Sequence, residues 1–159
     1  MPQGTQHDST CGVRKILVGT DFSEASVRAR DYALNLAAPG ATMTFVHAHL
    51  LPLPEWPEPP YVPDWMPAEP SVREQTLERL RLFAAPARAV GLSVEVVLEE
   101  GLPADVILAR AETLKPDLIA LGTHGRRGFE RWVMGSTAER VVRLANVPVL
   151  SVPIQASKA

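Results

Sequence analysis

Five short apolar runs alternate with four stretches of helical periodicity along this chain, and that alternation limits its fold more than any other feature. Lys15 to Thr20 (KILVGT) has the apolar run of a parallel strand covered on both faces. Ser23 to Ala38 follows as a predicted helix with Ala25, Ala29, Ala33 and Leu36 on one face, a serine as N-cap and Pro39-Gly40 as the stop. Thr42 to His49 (TMTFVHAH) reads as the second strand. A helix is expected from Ser71 to about Val90, with Val72, Leu80, Phe83, Ala87 and Val90 as its stripe; Pro86 should kink or interrupt it and Gly91 end it. Ser93 to Glu99 is the third strand, and Pro103 takes a first-turn position before the helix ADVILARAETL. Lys115-Pro116 leads into the strand Asp117 to Leu121. The last helix opens on Ser136-Thr137-Ala138-Glu139, a Ser-x-x-Glu capping-box pattern, and the last strand is VPVLSV. Pro148 cannot donate to a ladder, which argues for a sheet edge or a strand entrance.

Strand and helix in strict alternation call for a doubly wound α/β domain, a parallel sheet with helices on both faces. Ligands of such sheets bind beyond the carboxyl ends of the strands, where the strand order reverses, and Asp21 and Gly122 both follow predicted strands. A length of 159 residues suits one domain, read as 13–153, with tails at 1–12 and 154–159. Residues 52–70 interrupt it with eight of the fifteen prolines, four acids and no base, a composition fit for neither a regular helix nor an interior strand. Trp56, Tyr61 and Trp65 within it could pack on the domain or a second subunit, or the segment could be a surface insertion. A net charge of −2 gives no global field for nucleic acid, and no apolar run approaches a bilayer span. The polar N-terminus and the single cysteine, Cys11, fit a cytoplasmic setting.

The stretch GTHGRRGFERWVMGST, residues 122 to 137, carries glycines at 122, 125, 128 and 135 between a strand and a helix. Glycine lets backbone amides approach a ligand without a Cβ in the way, and a helix N-terminus adds the positive end of its dipole, an arrangement suited to phosphate. A plain strand-to-helix connection is the structural alternative. Neither G-x-x-x-x-G-K-[ST] nor G-x-G-x-x-G after a strand is present, so the chain carries neither a P-loop nor a standard dinucleotide fingerprint. The spacing found is G-x2-G-x9-G-S, from Gly122, Gly125, Gly135 and Ser136.

Three blocks, ILVGTDFSEAS, FVHA and GTHGRRGFERWVMGSTAERVVRLANVPVLSV, make the sequence resemble the universal stress protein family from about Val13 to Val152. The resemblance implies an adenine nucleotide alpha hydrolase-like fold: five parallel strands in the order 3-2-1-4-5, commonly a homodimer paired through the last strand, here Val147 to Val152. In ATP-holding members the positions matching Gly19, Thr20 and Asp21 border the nucleoside, with the aspartate near ribose or metal, and those matching Ala48, Leu121 and Gly122 line the adenine side. The positions matching His124, Gly125, Gly135, Ser136 and Thr137 surround ribose and phosphates. The retained glycine spacing implies the ATP-binding subclass, with magnesium or manganese accompanying the triphosphate. Gly19 stands where proline or valine is common, Ala48 replaces a larger valine, and the proline-rich insertion is this chain's own.

Against these stand plainer roles: Asp21 could cap a helix, and Arg126, Arg127 and Arg131 could serve solubility as well as phosphate. His47 and His49 share a strand face and could join His124 at a metal, but packing and hydrogen bonding are the favoured reading. No catalytic base or nucleophile is specified by spacing. The expected function is therefore an ATP-binding stress-response regulator acting through occupancy. A slow ATPase or adenylyl-transfer enzyme and a nucleotide-free dimeric module for a protein partner are the alternatives.

Overall fold

The computed structural model describes residues 12–49, 71–123 and 134–154. The expectations for the proline-rich insertion and, apart from Gly12 and Ile154, for the tails at 1–12 and 154–159 lie outside the described residues. The elements are β1 (Val13–Gly19), α1 (Glu24–Leu36), β2 (Ala37–His49), α2 (Val72–Ala89), β3 (Ser93–Glu100), α3 (Pro103–Leu114), β4 (Leu118–Gly122), α4 (Ser136–Leu144) and β5 (Val149–Val152). All strands pair in parallel in the order β3-β2-β1-β4-β5, as the resemblance implied.

Successive strand residues face opposite sides of a sheet, so each central strand feeds two cores. Ile16 and Val18 of β1 join Met43, Phe45 and Ala120 under Ala33 of α1 and Leu80, Phe83, Ala84 and Ala87 of α2. Leu17 joins Val46, Ile119 and Leu121 on the other face, under Ala104, Val106 and Ile107 of α3 and Ala138 and Val141 of α4. Phe45 and Leu80 are fully buried, each contributing about 1.5–3 kcal/mol by removal from water. The stripe expected of α2 is only partly right, since Val72 and Val90 are exposed while Ala84 is buried. Leu36 of α1 is exposed as well. These residues lie at helix ends, where the stripe has run past the sheet.

Three local readings are corrected. α1 ends at Leu36, and Ala37 is already extended, so Pro39-Gly40 lies inside β2 rather than stopping a helix. The pairing jumps from Val13↔Ala37 to Lys15↔Thr42, so the extra β2 residues form a bulge, with Gly40 at φ +73°. Pro86 does not interrupt α2, which runs on through it to Ala89. Gly91 at φ +82° then closes that helix: its N–H donates to the Arg88 carbonyl and that of Leu92 to the Ala87 carbonyl, the Schellman pattern.

The third correction concerns capping. Ser136 is the first residue of α4, with Gly135 as the N-cap and no side-chain cap. The Ser-x-x-Glu pattern forms its box instead at α2, where Ser71 Oγ accepts from the Glu74 amide at 3.2 Å and the Glu74 carboxylate accepts from the Ser71 amide at 2.7 Å. Ser71→Ala is therefore expected to remove about 1 kcal/mol in urea unfolding, and Ser136→Ala almost nothing. An equal loss from both would restore the capping box at α4.

Lys115, the C-cap of α3, is left-handed at φ 48°. Glycine escapes the steric penalty of that region, about 1–2 kcal/mol, and returns about half of it in unfolded-chain entropy. Lys115→Gly should raise stability by about 0.5–1 kcal/mol, visible as a higher urea midpoint at unchanged slope. Two residues on, the Asp117 carboxylate accepts from the Lys15 amide at 2.9 Å, and the Asp117 amide donates to the Lys15 carbonyl at 2.8 Å, which fixes the amino end of β4 beside β1.

Candidate functional site

From β1 the chain runs outward through β2 and β3 and then crosses back to place β4 on the other side of β1, so the reversal point lies between the carboxyl ends of β1 and β4. Gly19, Thr20 and Asp21 stand at the end of β1, Ala48 near the end of β2, Leu121 and Gly122 at the end of β4, and Gly135, Ser136 and Thr137 at the start of α4. His124 and Gly125, with Arg126, Arg127 and Arg131, lie outside the described residues.

Two of these glycines answer to packing. A Cβ on Gly19 would stand 2.8 Å from Ile107 Cδ1 and 3.0 Å from Leu121 Cδ2, so α3 and β4 close over it. A Cβ on Gly122 would meet Ala25 Cβ at 2.6 Å and the Ser26 nitrogen at 2.8 Å, so α1 begins against the bare backbone of β4. Gly135 differs, because at φ −61° and ψ 148° its backbone is open to any residue. What glycine supplies there is a missing side chain: among the described residues no side chain caps the amides of the first α4 turn, which face outward as donors at the positive end of the helix dipole.

Ser136 is exposed and Thr137 half-buried at that turn. With no cap to make, the Ser136 hydroxyl is spared the competing duty that its sequence suggested. The helix is placed from both sides. Gly135 N–H donates to the Thr123 carbonyl at 2.6 Å, and Thr123 N–H donates to the Val152 carbonyl at 2.9 Å, tying α4 to β4 and β5. Arg140 of α4 pairs with Asp105 in the first turn of α3 at 2.6 Å, an exposed pair of small energetic value that links the two helices. Thr123 went unmarked in the sequence; both its backbone and its Oγ1, which donates to the Val152 carbonyl at 3.5 Å, serve this tie.

The turn after β1 is built from its own polar groups. Thr20 is buried; its hydroxyl accepts from the Phe22 amide at 2.9 Å and donates to Ser26 Oγ at 3.0 Å, while its N–H donates to the Val46 carbonyl at 3.0 Å. Thr20 therefore frames the site with groups already engaged. Asp21 Oδ1 accepts from the Ser23 amide at 3.0 Å, and the N-cap of α1 is Ser23, whose Oγ accepts from the Ser26 amide at 3.3 Å. The aspartate thus shapes the turn and leaves the capping to serine. Phe22, at φ 63°, is a feature that sequence reasoning missed, since nothing in the sequence signals a phenylalanine in the left-handed region. His47 lies under that turn, its Nδ1 2.7 Å from the Thr20 carbonyl, in keeping with the hydrogen-bonding reading of that histidine.

A cavity of about 180 Å³ sits at the opposite end of the sheet, between Lys15, Thr42, Thr44, Glu95 and Leu114. It has neither a helix N-terminus nor a glycine backbone facing it, and the phosphate-type donors gather at the carboxyl end instead. Among the described residues no three His, Cys, Asp or Glu side chains come together as a metal cluster, and no helix is long and apolar enough to cross a membrane.

The universal stress protein family model matches residues 12–153. Universal stress protein MJ0531 of Methanocaldococcus jannaschii is 32% identical over 139 residues, covering 87% of this chain and 81% of the relative. Universal stress protein Rv2623 of Mycobacterium tuberculosis is 32% identical over 137 residues, but the match covers only 43% of its length. Among solved structures, that of protein MJ0577 superposes with a TM-score of 0.73 over 91% of this chain and 98% of its own, at 22% identity, a likeness of fold. A universal stress protein solved in complex with cAMP gives a TM-score of 0.62 at 26% identity, covering 89% of this chain and 97% of its own. A match to the family model over nearly the whole chain, joined to the strand order and the retained glycine spacing, establishes that this chain belongs to the universal stress protein family.

Proposed function

We propose that the protein binds an adenine nucleotide, ATP, at the carboxyl end of β1 and β4, and that occupancy regulates a stress response through stability or partner choice. The observation that carries this reading is the uncapped N-terminus of α4 at the strand-order reversal, with Gly135 as a side-chain-free N-cap and the Ser136 hydroxyl exposed beside it. The cAMP complex of a related protein supports the adenine nucleotide class. The G-x2-G-x9-G-S spacing favours a triphosphate.

In this reading the first-turn amides of α4 and the Ser136 and Thr137 hydroxyls receive phosphate oxygens. Ala48, half-buried near the end of β2, gives the base an apolar contact, with Gly19 and Leu121 packed behind it, and Asp21 meets the ribose or a divalent ion. A divalent ion accompanying the triphosphate would be held by the phosphate oxygens with the Asp21 carboxylate as the protein's ligand, and would neutralise phosphate charge there. A switch needs only that ATP bind one conformation or assembly better than another.

The assembly we favour is a homodimer through β5, an edge strand whose residues, Val149 to Val152, carry no charge. The other edge, β3, carries Glu95, Glu99 and Glu100, which discourage strand addition there. To test the function, freshly purified protein is denatured and the released nucleotide identified by chromatography and mass. Emptied protein is then titrated with ATP, ADP and cAMP. ATP is expected to bind most tightly; an empty protein with no measurable affinity for any of the three would refute the reading.

A further inference from the structure

The histidine beneath the β1–α1 turn has a use that packing alone does not explain. A carbonyl oxygen only accepts, so the 2.7 Å contact between His47 Nδ1 and the Thr20 carbonyl requires the proton on Nδ1. That carbonyl belongs to the peptide group leading into Asp21. The Thr20 N–H is held from the same strand, by the Val46 carbonyl at 3.0 Å.

The residue after Asp21 is held as firmly. Phe22 takes a left-handed backbone conformation uncommon for a side chain of its size, and three side chains among the described residues flank its ring. His47 lies 4.6 Å from it centroid to centroid at 37°, Phe83 meets it edge-on at 6.0 Å, and the Arg79 guanidinium sits 4.4 Å from its centre. His47 therefore touches both sides of Asp21, the peptide before it by hydrogen bond and the residue after it by ring contact. The Asp21 carboxylate, held by the Ser23 amide, is aimed by what those two contacts fix.

We propose that His47 is a positioning residue of the nucleotide site, whose Nδ1–H anchors the Thr20 carbonyl and so sets the direction of the Asp21 carboxylate. The proposal rests on the nucleotide reading for what Asp21 meets, and on the contacts of this turn for how Asp21 is aimed.

The side chains of asparagine and glutamine separate donor position from bulk. The asparagine amide nitrogen, like Nδ1, is bonded to Cγ and can reach the same carbonyl; that of glutamine lies one carbon farther out. Two quantities are measured for wild type, His47→Asn and His47→Gln: the Ser23 amide resonance in nucleotide-free protein by NMR, and ATP affinity by calorimetry. His47→Asn should keep the Ser23 amide shift near its wild-type value and hold ATP affinity within about threefold, whereas His47→Gln should move that resonance and weaken ATP by about five- to tenfold, the scale of one lost hydrogen bond. Equal losses in both variants would assign the effect to the ring and overturn the proposal, as would wild-type behaviour in His47→Gln. Should the wild type bind no ATP, the nucleotide reading fails by itself and the Ser23 resonance still decides what holds Asp21.

Discussion

Gly122→Ala is expected to lower stability by about 3 kcal/mol, at the upper end of the range for overpacking, because the added methyl meets backbone. The Cβ would lie 2.7 Å from the Ala25 carbonyl carbon and 2.8 Å from the Ser26 nitrogen, atoms of a helical first turn that cannot rotate aside. α1 would have to lift from β4, taking with it the buried contacts of Ala25, Ala29 and Ala33. For a chain of this length the melting temperature should fall by about 6–12 °C in a thermal scan. A loss below about 0.5 kcal/mol in urea unfolding would show that the α1–β4 approach is slack. The result matters for function too, since nucleotide lost on mutating Gly122 would report a displaced helix rather than a missing contact to the adenine.

Gly135→Asp is expected to move stability and binding in opposite directions. The backbone at 135 is already in the extended conformation of an N-cap, and aspartate is among the best N-capping residues, so its carboxylate should accept from the α4 first turn and add about 0.5–1 kcal/mol. The same carboxylate would occupy the place proposed for phosphate. Like charges about 4–5 Å apart near a protein surface repel by a few kcal/mol, so ATP affinity should drop by about a hundredfold or more. Urea unfolding and calorimetric titration of one preparation measure both. Unchanged ATP affinity in a variant stabilised by the new cap would mean that the nucleotide does not use this helix terminus.

How far the sequence could be read depended on which forces settled each feature. The five strands, and the Ser23 and Gly91 helix signals, were legible because they depend on periodicity and on residues within a few positions. The same Ser-x-x-Glu pattern occurs at Ser71 and at Ser136, yet it forms a box only at Ser71. The difference is tertiary: the Gly135 amide is tied to the Thr123 carbonyl, which fixes where α4 begins, and that bond joins residues far apart in the pattern. The bulge at Pro39-Gly40 was hidden for a like reason, since a register jump is decided by the neighbouring strand. Within the site, the spacing marked the glycines but could not say that Gly19 and Gly122 serve packing while Gly135 leaves amides bare. The left-handed Phe22 and its ring contacts had no sequence signal at all.

The bond from Gly135 to Thr123 carries one more implication. The segment between them starts and finishes at hydrogen-bonded neighbours, which are anchored in turn through Thr123 to Val152. The ends of β4 and β5 and the start of α4 thus form one linked set of backbone bonds, so a substitution that shifts Val152 at the far edge of the sheet is expected to displace the first turn of α4 as well.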